Sequence, residues 1–167
     1  LKAQLNKQKM NKVLHSLFKN DKKLNLENLD YLIFGRFHSD NYGAYNIYKL
    51  THSALFVDRR EIWHNKRHTQ AGYTFKGEIM SEEQFQIAKN LINQVPNDIL
   101  DESLKGFYTI GNKNEDKLIL EVSDGKLKKE ITIDEYEIDT EELPIELKKF
   151  RRLIENKVKQ LDRKNDT

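Results

Sequence analysis

The stretch from Tyr31 to Asp58 collects aromatic and branched residues into three short runs, and it constrains the fold more than any other part of the sequence. The runs are separated by polar breaks at 39–43 and 51–53. Aromatic and branched runs bounded by turn-forming residues are typical of strands, and short polar breaks favour hairpins. The stretch therefore predicts a three-stranded antiparallel meander, with Phe34 and Arg36 on the same face because side chains alternate along a strand.

Two segments later in the chain repeat their apolar residues with the period of a helix. In the first, 81–95, Ser81 and Gln84 have the spacing of a capping box and Pro96 marks the end. The second begins near Pro144, because proline is favoured in the first helical turn. Its predicted apolar seam is Leu147, Phe150, Ile154, Val158 and Leu161. Both helices are expected to bury one face.

A hairpin between these two helices extends the predicted sheet. Asp124-Gly125 is a signal for a type I′ turn. A two-residue loop at this point places Val122 opposite Leu127. The same pairing places Leu120 opposite Lys129, which sets an apolar side chain against a charged one.

A further short strand is predicted at 73–77, between the meander and the first of these helices. Together the elements predict an α+β fold. It consists of an antiparallel β-sheet, made of the meander plus the C-terminal hairpin, with two helices packed on one face and an additional N-terminal amphipathic helix.

The N-terminal part of the chain is predicted to be separable. Residues 1–23 are expected to form a basic amphipathic helix, and residues 24–167 a single α+β domain. Such a helix docks on its own domain, on a partner protein or on an anionic membrane surface. Its apolar face is narrow and has no tryptophan, which favours protein contact, while peripheral membrane contact through residues 1–19 stays open.

Composition excludes several classes of site. The 167 residues carry a net charge of only +2, so no global field attracts nucleic acid. Without cysteine the chain has no disulfide, thiolate metal site or cysteine nucleophile. No apolar run approaches the roughly 20 residues that span a bilayer, so no transmembrane segment is expected. The compartment stays open: cytoplasmic, or envelope-facing if an upstream anchor has been removed.

The order of four motifs resembles a family of small uncharacterised proteins that are abundant in Bacteroidetes, many of them lipoproteins. The motifs are Phe34-Gly-Arg-Phe37, Ile47-Tyr-Lys-Leu50, Leu55-Phe-Val-Asp58 and the Ser81–Pro96 helix. The resemblance runs from about residue 30 to residue 161. The chain departs from it by lacking both the glycine-rich stretch after the first motif and the cysteine pair before the hairpin. The resemblance implies the same fold and an envelope origin, and it implies no activity.

A basic and aromatic cluster follows the third predicted strand. Its members are Arg59, Arg60, Trp63, Lys66 and Arg67. Tryptophan and arginine are enriched at the energetic centres of protein interfaces, so the cluster predicts a partner-binding segment. The simpler alternative is that Trp63 folds back over the edge of the sheet. The same residue types contact phosphates and stack on bases. The nearly neutral chain has no recognised nucleic-acid motif, however, so nucleic acid is not expected as a partner.

The same segment holds three residues of the kind that bind zinc: Glu61, His64 and His68. A helix would place His64 and His68 on one face, as a zinc site requires. No H-E-x-x-H motif is present, and the simpler interpretation is a pair of exposed loop histidines. No phosphate-binding or dinucleotide-binding motif occurs, so no cofactor is expected.

These observations favour a non-enzymatic binding or accessory module, a partner-binding subunit of a larger assembly that the resemblance would place at the cell envelope. Two alternatives stay open. One is a small metal-dependent or acid/base hydrolase using His64 and His68. The other is an immunity-type inhibitor whose acidic stretch, 134–142, would enter the basic active site of another protein.

Overall fold

The structure, a computed structural model, describes residues 23–38, 46–59, 75–101, 116–134 and 143–165. The strands are β1 (Tyr31–His38), β2 (Ile47–Leu50), β3 (Leu55–Asp58), β4 (Glu78–Ile79), β5 (Asp116–Ser123) and β6 (Lys128–Asp134). The α-helices are α1 (Glu82–Ala88) and α2 (Ile145–Asn165). Short 3-10 helices span Leu26–Asn28, Leu91–Gln94 and Asn97–Leu100.

The six strands form one antiparallel sheet in the order β4-β3-β2-β1-β5-β6. The predicted meander is confirmed as β1, β2 and β3, and the predicted C-terminal hairpin as β5 and β6. The α+β class is therefore confirmed as well. The predicted N-terminal helix, residues 1–23, lies almost entirely outside the described residues, which begin at Lys23.

One face of the sheet and the helices enclose the main core. Phe34 and Tyr48 stack there with ring centroids 5.5 Å apart. The sheet residues of this core alternate along their strands, as the period of two requires. They are Leu32, Phe34, Tyr48, Leu50, Leu55, Val57, Leu118, Leu120, Val122, Ile131 and Ile133. Helix residues Ala88, Leu147 and Ile154 pack in the same core, so both helices lie on this face.

The seam predicted for the second helix is confirmed. Helix α2 begins directly after Pro144, and all five predicted seam residues are buried in the main core. A helix with one apolar stripe gains stability by burying that stripe against a sheet.

The first helix is shorter than predicted. Its capping box is present: the Gln84 backbone N–H donates to Ser81 Oγ at 3.3 Å, and the Ser81 N–H donates to Gln84 Oε1 at 3.2 Å. The α-helix nevertheless ends at Ala88, and the chain turns into the 3-10 helix Leu91–Gln94. Pro96 disfavours helical conformation in the residue before it, and Val95 is extended accordingly. The predicted helix over 81–95 is therefore wrong beyond Ala88.

Replacing Ser81 by alanine is expected to lower the free energy of unfolding by about 0.5–2 kcal/mol, because the first turn of α1 loses its side-chain acceptor. Urea denaturation followed by circular dichroism measures this loss. Ser81→Asp retains an acceptor and serves as the matched control, with a midpoint close to that of the parent chain. Equal midpoints for the parent and the alanine variant would contradict the capping role.

The predicted pairing of the hairpin is wrong by two residues. The structure pairs Val122 with Lys129, Leu120 with Ile131, and Leu118 with Ile133. In this register Leu120 lies opposite an apolar residue, and Lys129 lies opposite Val122, nearer to the turn. Because the shift is two residues, it leaves Ile131 and Ile133 on the face that the predicted pairing gave them, and both are buried there.

The turn explains the shift. Gly125 has φ of +80° and no other described residue has positive φ, so only the first loop position is left-handed, as in a type II′ turn. The loop therefore consists of Gly125 and Lys126, and the Asp124 N–H donates to the Leu127 carbonyl at 3.2 Å. The Asp124 carboxylate also accepts the Lys126 and Leu127 N–H groups at 2.9 and 2.8 Å, which stabilises this loop.

The short strand predicted at 73–77 is displaced. Strand β4 lies at Glu78–Ile79, and Phe75, Lys76 and Gly77 are not in a strand. The Lys76 N–H donates to Asp58 Oδ2 at 2.9 Å instead of joining a ladder. The Phe75 ring lies over Gly77, where a Cβ atom would stand 2.3 Å from the ring.

Candidate functional site

Most of the residues predicted to bind a partner or a metal fall between 60 and 74 and lie outside the described residues. These are Arg60, Glu61, Trp63, His64, Lys66, Arg67 and His68. Arg59 is described, at the end of β3. Its side chain is 50% exposed, and its Nη1 lies 3.9 Å from Glu78 Oε2.

The two ends of this segment lie side by side. Strand β3 leads into it, and the chain that leaves it enters β4, which pairs with β3 through Val57 and Glu78. The fully buried Asp58 accepts the Lys76 N–H with its Oδ2 atom. Asp58 and Lys76, which flank residues 60–74 in the chain, are therefore neighbours on the sheet, and strands β3 and β4 are hydrogen-bonded to each other.

Among the described residues, no group of three or more histidine and carboxylate side chains has the arrangement of a metal site. The predicted ligands Glu61, His64 and His68 are not among those residues, so that hypothesis stays a prediction. The acidic stretch 134–142 is described only at Asp134, the last residue of β6.

A cluster of charged side chains lies between α2 and the sheet. Arg151 of α2 is 1% exposed, and its Nε donates to Glu155 Oε1 at 3.2 Å. Arg36 of β1 places Nη2 3.5 Å from the same oxygen. One carboxylate thus bridges two guanidinium groups, one from the helix and one from the sheet.

A second carboxylate of α2 extends this cluster. Asp162 Oδ1 accepts hydrogen bonds from the Tyr48 hydroxyl at 2.5 Å and from the Asn46 amide at 2.9 Å. Burial, followed by the hydrogen bond to Asp162, raises the pKa of Tyr48 far above its usual value. The hydroxyl therefore stays protonated at neutral pH, where it can donate a hydrogen bond and is a poor nucleophile or base. We refer to Arg36, Asn46, Tyr48, Arg151, Glu155 and Asp162 as the helix–sheet polar cluster.

The chemistry of this cluster suits attachment of the helix to the sheet. Each carboxylate accepts from two donors, and the Tyr48 side chain is fully buried. The hydrogen bonds between the sheet side and the helix link residues that are 114 to 119 positions apart in the chain. A buried network with its acceptors satisfied rigidifies a core and specifies one packing arrangement.

The sequence contains a signal for this cluster that was not used in predicting the site. One face of the helix carries Arg151, Glu155, Val158 and Asp162. The last three follow Arg151 by four, seven and eleven residues, which are spacings of a single helical face. Three polar residues at those spacings, beside an apolar seam, indicate that a polar strip of the helix lies over the sheet. On the sheet, the predicted alternation places Arg36 on the same face as the apolar Phe34. A charged side chain is therefore expected on the face that the helix covers.

The opposite face of the sheet carries a smaller acidic pair. Glu121 of β5 is buried, lies directly across from Glu130 of β6, and accepts from the Tyr31 hydroxyl at 2.7 Å. Lys128 Nζ lies 3.3 Å from Glu121 Oε2. Burial and then the Glu121 charge raise the pKa of Glu130 above its usual range. Burial, with the Glu121 hydrogen bond second, raises the pKa of Tyr31 to about 12.

In the part of the chain that the structure describes, no helix combines the length and the apolarity needed to cross a membrane. The segment proposed for peripheral membrane contact, residues 1–19, lies outside it. No protein-family model, curated protein or solved structure matches this chain. The likeness to the Bacteroidetes family therefore remains an expectation drawn from four motifs, and the function has to be argued from the geometry.

Proposed function

We propose that this chain is a non-enzymatic binding module that recognises a protein partner through the segment 60–74, with Arg59 at its base. The proposal rests on one observation, which is that the two parts of the chain flanking this segment are hydrogen-bonded to each other. The end of β3 and the start of β4 are hydrogen-bonded to each other, and Asp58 ties Lys76 to the same point. A rigid sheet presenting a long connection is the usual arrangement of a binding loop.

The length of the connection supports this role. Loops joining neighbouring antiparallel strands usually have about 2–5 residues, and connections longer than about 12 residues in compact domains are uncommon and are usually either functional loops or linkers. Residues 60–74 exceed that length. A loop of about 2–5 residues can join two antiparallel strands, so the length of this connection is consistent with a role in binding.

The composition of the segment selects the kind of partner. It holds the single tryptophan of the chain, together with Arg60, Lys66 and Arg67. Tryptophan and arginine are enriched among the hot-spot residues of protein interfaces, whose truncation costs about 2 kcal/mol or more. The half-exposed Arg59 adds a further guanidinium at the base of the segment. These charges favour a partner with an acidic and apolar surface.

The helix–sheet polar cluster supports the non-enzymatic part of the proposal. Its tyrosine is held neutral by burial, and its carboxylates are occupied by donors from the same chain. A general base or nucleophile needs a pKa near the working pH and access to a substrate. The buried Tyr48 has neither.

The proposal is tested by comparing three full-length proteins in the native cell by cross-linking, affinity capture and quantitative mass spectrometry. One is the parent chain. The segment variant carries Arg60→Ala, Trp63→Ala, Lys66→Ala and Arg67→Ala. The control variant carries Lys89→Ala, Lys126→Ala and Lys159→Ala, which removes the same amount of positive charge from exposed sites elsewhere.

We expect one protein to be captured by the parent and control chains and to be reduced about tenfold or more with the segment variant. Trp63 fluorescence then measures the affinity of the purified pair, since the chain has no other tryptophan. Capture of the same proteins in the same amounts by the segment variant would overturn the proposal. Circular dichroism of the variants shows that the domain itself is unchanged.

A further inference from the structure

Strand β6 is the last strand on one side of the sheet that the described residues form. It pairs with β5 along its whole length, Lys128–Asp134, and no strand of the described residues pairs with its outer side. The strand at the other end of the sheet, Glu78–Ile79, is much shorter. An edge of this length offers a row of backbone donors and acceptors to an added strand.

The hairpin determines which backbone groups of β6 point outward. Asp124 donates to Leu127, and the Ser123 carbonyl accepts from Asp30 on the β1 side at 2.6 Å. Hydrogen-bonded and non-hydrogen-bonded pairs alternate along an antiparallel ladder. Because the backbone of Ser123 points away from β6, its partner Lys128 points away from β5. The outward-pointing residues are therefore Lys128, Glu130, Thr132 and Asp134.

We propose that β6 pairs antiparallel with the β6 strand of a second copy of this chain, about a two-fold axis at Ile131. This register places Lys128 opposite Asp134 and Glu130 opposite Thr132 in the other copy. All four residues are of the outward-pointing set, so each can donate one N–H and accept one hydrogen bond. The two sheets become one continuous sheet, with the helices of both copies on the same side of it.

Among the registers that the alternation permits and that pair at least five residues of β6, charge selects this one. A two-fold axis at Glu130 would set that residue against itself. An axis at Thr132 would set Glu130 against Asp134. Like charges directly opposite each other destabilise a pair of strands, and opposite charges stabilise it. Only the axis at Ile131 joins two Lys128–Asp134 pairs and leaves each Glu130 opposite a neutral residue.

A second copy of this chain is a better partner for β6 than an unrelated strand, because the sequence of β6 is complementary to itself. Its sequence, Lys-Lys-Glu-Ile-Thr-Ile-Asp, is basic at one end and acidic at the other. Antiparallel pairing of two identical strands brings unlike ends together, and a two-fold contact closes without further growth. Ile131 and Ile133 are already buried within one copy, so the contact is built from backbone hydrogen bonds and charge.

Single cysteines test the register directly, because the chain has none of its own. We expect an equimolar mixture of Glu130→Cys and Thr132→Cys proteins to form a disulfide-linked dimer under mild oxidation. Each variant alone is expected to cross-link at least about tenfold less, because the two copies of one residue are then two positions out of register and beyond the reach of a disulfide. A mixture of Lys89→Cys and Lys126→Cys proteins gives the background.

Sedimentation of uncross-linked protein provides the second measurement. The parent chain is expected at twice the monomer mass, and Glu130→Pro at the monomer mass with an unchanged circular dichroism spectrum. Proline at this position removes only an outward N–H, which an edge strand tolerates. Glu130→Ala keeps that N–H and should remain dimeric. Cross-linking of the mixture at the background level would overturn the proposal, as would a dimer of Glu130→Pro as stable as the parent's.

Discussion

Replacing Phe150 by alanine is expected to lower the free energy of unfolding by about 3–5 kcal/mol. The ring lies in the middle of the α2 seam, and only 3% of it is exposed. It packs in the same core as the residues of five strands and of α1. Truncation removes the transfer free energy of the ring and leaves a cavity that a tightly packed core closes only in part.

Urea unfolding followed by both circular dichroism and tyrosine fluorescence measures the loss, and coincidence of the two transitions establishes that a single free energy describes it. Ile145→Ala is the matched control. Ile145 lies at the start of the same helix, is 68% exposed, and should change stability by no more than about 0.5 kcal/mol. A loss below about 1 kcal/mol for Phe150→Ala would mean that α2 does not belong to the folding unit.

The elements that the sequence predicted correctly are those in which a local pattern and burial agree. The α2 seam repeats with a helical period over its whole length, and every predicted member is buried. The meander alternates in the same way, so Phe34 lies in the core. In such segments one periodicity specifies both the secondary structure and the side that faces the core.

The errors occurred where a single side chain decides between two arrangements. In the hairpin, Asp124 and Gly125 are compatible with more than one two-residue loop. The Asp124 carboxylate selects the loop by accepting two N–H groups beyond the turn. The Asn25 backbone N–H, followed by those of Leu127 and Lys126, lowers the pKa of Asp124 to about 2. A choice of this kind shifts every partner along the strands, although the residues involved give no periodic signal.

The sequence predicts which residues the candidate binding segment contains, but it does not predict where on the sheet the segment is attached. The sequence shows that aromatic and basic residues cluster at 59–67. It does not show that the chain returns to the same point, because that depends on the bond between Asp58 and Lys76 and on the displaced strand β4. The helix–sheet polar cluster was missed for a related reason, since its partners are far apart in the chain and meet only in the folded sheet.

Replacing Glu155 by alanine is expected to lower the free energy of unfolding by about 3–5 kcal/mol, although the side chain is polar and packs little apolar surface. Glu155 is 13% exposed and lies between Arg151 and Arg36. Its removal leaves the Arg151 charge buried without this carboxylate and opposite a like charge. Breaking a buried ion pair by removing one partner costs far more than the intact pair contributes.

A second carboxylate on α2 provides the control. Glu146 lies 2.7 Å from Lys149, and both side chains are more than half exposed. Solvent screens such a pair, so Glu146→Ala should cost at most about 1 kcal/mol. Each variant removes one carboxylate from a close ion pair of the same helix. The difference between them therefore measures the effect of burial.

The double variant Glu155→Leu, Arg151→Met separates the effect of the remaining Arg151 charge from the effect of losing the Arg151–Glu155 contact. Apolar residues of similar volume often replace a buried ion pair without loss of stability. We therefore expect the double variant to be more stable than Glu155→Ala, by about 1 kcal/mol or more, since removing Arg151 also removes the buried charge. A double variant that is less stable than Glu155→Ala would instead mean that Arg151 stabilises the helix–sheet contact independently of Glu155, through its other interactions in the core.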